Sequence, residues 1–145
     1  MIIRSKVFFF ALLLILLFDE VNSWCLKAQF SDSAKINSID FSRDGSKIVT
    51  ASDSNRVIVW DAHTLEQLFV YNFTVKAYTA KFSKDNNMIA IGGARSSVHV
   101  LSVAPGYPVI TTSLSTSQTQ VFEVDFNEGT SRFVTCGQTN IANLY

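Results

Sequence analysis

The chain has 145 residues, with 12 Lys+Arg against 12 Asp+Glu and 48% hydrophobic residues, enough for one modest domain and too little for two large ones. Zero net charge leaves no electrostatic footprint for a nucleic-acid backbone, so nucleic acid is not an expected partner. Two cysteines, Cys25 and Cys136, exclude a disulfide-dense mini-scaffold.

At the N-terminus Arg4 and Lys6 precede an unbroken apolar run, Val7 to Phe18, closed by Asp19-Glu20. The run falls short of the roughly 18 residues a spanning helix needs, and its order of basic end, apolar stretch and small side chains is that of a secretory signal peptide. Val21-Asn22-Ser23 places cleavage before Trp24, giving a signal peptide over 1–23, no stable membrane span afterwards, and a secreted or lumenal product. Two alternatives stay open: an uncut signal anchor with the remainder lumenal, or a mis-assigned start and a cytoplasmic product. Asn72-Phe73-Thr74 is an N-glycosylation sequon with Asn72 as acceptor.

Past residue 23 the chain repeats itself. Aligned on Phe41, Phe82 and Phe126, three stretches read FSRDGSKIVTAS, FSKDNNMIAIGG and FNEGTSRFVTCG, at offsets of 41 and 44 residues. The register continues into SNRVIVW, RSSVHVL and TNIANLY, and a spacing near 40 residues marks stacked supersecondary units. The first copy predicts strands at 36–41, 47–51, 56–60 and 66–71, with turns at Ser42-Arg43-Asp44-Gly45 and Asp53-Ser54-Asn55. In the first of these strands Ser38 breaks strict alternation. The second copy predicts strands at 77–82, 88–91, 98–101 and 109–114, both prolines falling in the loop before the last. The third predicts 121–126, 132–136 and 142–145. No helical period is apparent, so the chain is read as all-β.

No arrangement of chemistry-bearing residues calls for catalysis, a cofactor or a metal. His63 sits at a turn and His99 matches Ile58 in a buried-type strand, so neither has a second ligand at a recognised spacing. Cys136 aligns with Ala51 and Gly92 and reads as a small buried thiol; a Cys25–Cys136 bridge would have to join distant strands. Gly92-Gly93 lacks the helix and lysine of a phosphate loop. Asp40 and Asp125 occupy equivalent places and read as solvated or paired at a sheet edge.

Phe41-Ser42-Arg43-Asp44-Gly45, Ile48 to Asp53 and Val57 to Asp61, ending in Trp60-Asp61, together resemble a WD repeat of the β-propeller family, with copies two and three degenerate. The resemblance implies a partial propeller of about three four-stranded antiparallel blades, the last incomplete: 31–71, 72–114 and 115–145 within a segment 24–145, with 24–30 as a candidate closing strand. The family's opening Gly-His pair is absent, so its His, Ser/Thr, Asp and Trp network is incomplete. Only Thr50, Asp53 and Trp60 carry over, as structural residues of the first blade.

The resemblance further implies a non-catalytic scaffold for protein or peptide partners, with Asn55, Arg56, Arg95 and Tyr107 as loop-end contact residues. Its alternative is a fragment of a secretory-pathway propeller enzyme whose active site lies in further blades. Since propellers use about four to eight blades, the sequence is expected to be a fragment or to complete itself by association. An uncovered blade face of ~400 Å² forfeits on the order of 10 kcal/mol. A third reading is that the reading frame encodes nothing that folds.

Overall fold

The computed structural model describes residues 28–103, 109–128 and 132–145. The signal segment, Cys25 and Tyr107 lie outside these residues; of the candidate closing strand, 24–27 lie outside and 28–30 are not in a strand. Residues 31–145 form one compact unit. Eleven strands follow in order: β1 (Ile36–Phe41), β2 (Lys47–Ser52), β3 (Arg56–Asp61), β4 (Gln67–Asn72), β5 (Ala77–Phe82), β6 (Met88–Gly93), β7 (Ser97–Ser102), β8 (Val109–Ser115), β9 (Val121–Phe126), β10 (Phe133–Gly137) and β11 (Ala142–Leu144). Antiparallel pairing gives three sheets: β1-β2-β3-β4, β5-β6-β7-β8 and a three-stranded β9-β10-β11. Among the described residues there is no helix, and therefore none long and apolar enough to cross a membrane.

Local chemistry accounts for the strand ends. In the first turn Ser42 Oγ donates to Asp44 Oδ1 at 2.6 Å, Ser46 N–H donates to the same oxygen at 3.1 Å, and Gly45 takes φ +69° without steric cost. These bonds, that from Ser42 first, hold the Asp44 carboxyl down to about 2. The second sheet repeats the device with Ser83, Asp85 and Asn87, and Asn86 stands where Gly45 did, at φ 62°. The irregularity at Ser38 has a structural counterpart. Each of the three inner strands breaks register at the same place, leaving Asn37, Tyr78 and Phe122 bulged. Asn37 Nδ2 reaches across to the carbonyl of Ala77 at 2.9 Å, and the Tyr78 and Phe122 rings meet at 5.7 Å. Bulges thus turn Asn37 and Tyr78 toward the following sheet, while Phe122 meets Tyr78 from the third.

The sheets pack face to face in chain order, with β1 against β5 and β5 against β9. Period-2 alternation puts Val49, Ala51, Val57 and Val59 on one face of the first sheet, buried with Ala77, Ala80, Phe82, Ile89, Ile91 and Leu101. Shifting by one repeat, Ala90, Val98 and Val100 of the second sheet bury against Val121, Val124, Phe126 and Phe133. Small residues set the approach. Ala51 and Ala77 belong to the first seam; in the second, a Cβ built on Gly92 would lie 2.5 Å from Val121 Cγ1, so glycine makes room for the larger valine.

The third sheet carries the same positions onward as Val134, Cys136, Ala142 and Leu144, and here they are open, Val134 at 46% and Leu144 at 66% exposure. Cys136 is a free, exposed thiol, which corrects the expectation of a buried one. Its counterparts Ala51 and Gly92 are buried because a following sheet covers them, and among the described residues no sheet follows the third.

Candidate functional site

Of the residues carried over from the WD-repeat resemblance, the fold brings two together. Period-2 alternation turns Thr50 of β2 and Trp60 of β3 to the same face of the first sheet, where the indole Nε1–H donates to Thr50 Oγ1 at 3.0 Å, both residues buried. The equivalent positions in the second sheet hold the apolar Ile91 and Leu101. In the third they hold Thr135 and Tyr145, whose hydroxyl donates to the Ser115 carbonyl at 3.1 Å.

Asp53 does not join Thr50 and Trp60. Its carboxylate accepts from Asn37 Nδ2 at 2.8 Å and pairs with Lys76 Nζ at 3.2 Å, contacts which, Asn37 first, hold its carboxyl below the usual range. Since Asn37 also bonds the Ala77 carbonyl, Asp53 ties the first sheet to the second. Asn72 ends β4 and is exposed, with the buried Phe73 beside it.

Sequence reasoning missed a charge in the stretch before β1, the region that holds no Gly-His pair. Asp32, in the loop before β1, accepts from the hydroxyls of Ser52 and Ser54 and pairs with Arg56 at 3.3 Å. Burial pushes its carboxyl up, but the serine hydrogen bonds and the guanidinium outweigh burial and hold it below the usual range. Arg56 was expected as a loop-end contact residue; the fold spends it on Asp32 instead.

One repeat later the same place is filled by Phe73, 2% exposed, against Gly93, where any Cβ would run into the Phe73 ring and the Lys76 carbonyl. In the third sheet the amide of the buried Gln118, one residue displaced, donates to the carbonyls of Thr135 and Ile141 at 3.2 and 2.8 Å. A carboxylate, a phenyl ring and an amide thus act alike, each pinning the loop before the inner strand to the middle of its sheet. Only the alignment offset could have flagged them, because the three side chains share no chemistry.

His63 is exposed at its turn, as expected. His99 is half-buried between the first two sheets; Tyr71 Oη–H lies 2.9 Å from His99 Nδ1, and the Phe73 ring meets the imidazole edge-on at 4.9 Å. Burial first, then the nearby Arg95 charge, lowers the His99 pKa below its ordinary 6.5. A histidine held neutral in the fold contributes stability that is full above about pH 6.5 and is lost as pH falls through that value toward the lowered one. The neutral ring that burial favours leaves Nδ1 free to accept from the Tyr71 hydroxyl, and Tyr71→Phe tests that direction. The expected result in an NMR titration is a His99 pKa moved back up; an unchanged or lower value would mean that Nδ1 carries the proton and donates to Tyr71.

No group of three or more His, Cys, Asp or Glu among the described residues is placed to hold a metal ion. Three antiparallel sheets stacked in chain order around their inner strands make an open segment of a β-propeller. The family model described as WD domain, G-beta repeat matches residues 23–61, ending on the Trp60-Asp61 pair. The resemblance read from the sequence therefore stands on an independent match over the first repeat.

Proposed function

We propose that this chain is a non-catalytic protein-interaction module of the WD-repeat type, working in the secretory pathway or outside the cell. The observation that supports it best is how the charges divide. Those between or beneath the sheets are paired, as Asp32 with Arg56, Asp40 with Lys81 at 3.9 Å and Asp53 with Lys76. Arg43, Lys84 and Arg95, at the turn ends, make no ion pair among the described residues and are available to a partner. WD-type repeats generally serve as such platforms, and scaffold rigidity with free polar ends is what a binding surface requires.

Affinity capture with the full chain, followed by charge reversal at each turn end, tests this reading. The expected outcome is a small set of proteins retained by the natural sequence and lost with at least one reversal; retention that no reversal alters, or none at all, would refute it. The exposed Val134 and Leu144 add self-association to the proposal, a second copy covering the face that the first two sheets bury. In sedimentation, Leu144→Lys is expected to shift the chain toward monomer. The compartment has its own test: the chain made in secreting cells should show a glycosidase-sensitive mass shift that disappears in Asn72→Gln, and a cytosolic chain that keeps Met1 would overturn it.

A further inference from the structure

The turns β1–β2, β5–β6 and β9–β10 lie at corresponding ends of the three sheets, and at one equivalent position they carry Arg43, Lys84 and Glu128. Beside these turns opens a cavity of about 220 Å³, with Phe41 and Phe82 as its apolar lining and Arg43, Lys84 and Glu128 among its charged lining. That volume is below the ~300–1,000 Å³ of small-molecule sites, so it suits one or two amino-acid side chains rather than a cofactor.

Its polar groups fall into two sets. Asp40 is occupied, accepting from the Phe82 N–H at 3.0 Å and facing Lys81; Ser83 is occupied, donating to Asp85 at 2.6 Å and accepting from the Met88 N–H at 2.9 Å. Arg43 uses its backbone N–H on Asn86 Oδ1 at 2.7 Å, which fixes the turn and leaves the guanidinium free of ion pairs among the described residues. Lys84 is likewise unpaired there. The Phe41 ring is 60% exposed, although its counterpart Phe82 is buried.

We propose that this cavity is a docking site for an acidic side chain, aspartate or glutamate, of a partner polypeptide, gripped between Arg43 and Lys84 with a neighbouring apolar residue laid on Phe41. The guanidinium offers a carboxylate two parallel donors, and the ammonium adds a second charge. Glu128 repels further negative charge on the third side, so the partner's acid is isolated rather than part of an acidic run. The inference rests on the protein-interaction reading and names the partner's chemistry.

The test uses the full chain and fluorescence anisotropy of a hexapeptide alternating glutamate and leucine, carrying an uncharged fluorophore, with the lysine–leucine counterpart as control. The glutamate peptide is expected to bind saturably, to weaken as salt rises from about 50 to about 300 mM, and to bind at least about tenfold more weakly to Arg43→Glu/Lys84→Glu. Arg43→Gln/Lys84→Gln, which removes both charges without placing negative ones at the turns, should give an intermediate loss, and Glu128→Gln should tighten binding. Equal binding by the double variants, equal binding of the lysine peptide, or no binding to the natural chain overturns the site. If captured proteins remain bound to the double variants but are released by charge reversal at Arg95, the acid site fails while the interaction module stands; if no reversal releases them, or the natural chain captures none, the module fails with it.

Discussion

Gly92→Ala is expected to destabilise the chain by about 1–2 kcal/mol, and Val121→Ala is expected to relieve part of that loss when the two are combined. The alanine methyl would sit 2.5 Å from Val121 Cγ1, 2.9 Å from Val121 Cβ and 3.0 Å from Thr79 Cγ2, inside contact distance, so the second and third sheets must separate; Val121→Ala removes the closest of these contacts and leaves that to Cβ. Overpacking of this kind typically costs ~1–3 kcal/mol, and reduced freedom of the unfolded chain returns ~0.4–1 kcal/mol of it. Val121→Ala alone removes buried methyl groups and should cost about 2 kcal/mol. The double variant recreates at the second seam the alanine pairing already present at the first, Ala51 with Ala77. Its cost should therefore be smaller than the sum of the single costs by at least about 1 kcal/mol. Urea unfolding of the four chains measures the cycle, and simple additivity would show that the seam is not set by this contact.

The same seam shows what was legible in the sequence. Strand positions followed from features a chain carries locally, such as β-branched alternation at Val57 to Trp60 and the Ser-x-Asp turns, and all eleven strands fall within a residue or two of expectation. Ser38 broke the alternation of the first strand without naming a bulge; the residue displaced is Asn37, at the place where Tyr78 and Phe122 bulge in the other two sheets. Cys136 was misjudged since burial is not a property of a repeat position alone but of whether a neighbour covers it. Thr50 and Trp60 share a face through period-2 geometry, so their bond was within reach of the sequence. Asp32 was not: its partners Ser52, Ser54 and Arg56 lie about twenty residues away, with no local pattern to link them. The pairing of Arg56 with Asp32 was hidden for the same reason, Arg56 having been read by its position at a turn alone.

Asp32→Ala should be the more damaging single change, costing about 2–4 kcal/mol. The Asp32 side chain is fully enclosed while that of Arg56 keeps 30% exposure, and the guanidinium Nε is already buried without a partner. Removing the carboxylate leaves the rest of the cation half-desolvated with nothing to offset it, and leaves the Ser52 and Ser54 hydroxyls only each other and the Arg56 carbonyl as partners. Breaking a buried pair from one side typically costs ~3–5 kcal/mol, and the water still reaching Arg56 reduces this. Asp32→Ala/Arg56→Met should then recover more than half of the loss, because the stranded cation, not the missing contact, is its main source. Asp32→Asn separates charge from shape. The carboxyl is depressed in the folded chain, so the stability it adds is present above its unfolded value near 3.8 and disappears as pH falls through the lower folded value. Denaturant midpoints of the natural chain and Asp32→Asn should therefore differ at pH 7, begin to converge as pH falls through 3.8, and meet only below the lowered folded value. A gap that stays constant with pH would mean that the carboxylate acts through its shape and not through its charge.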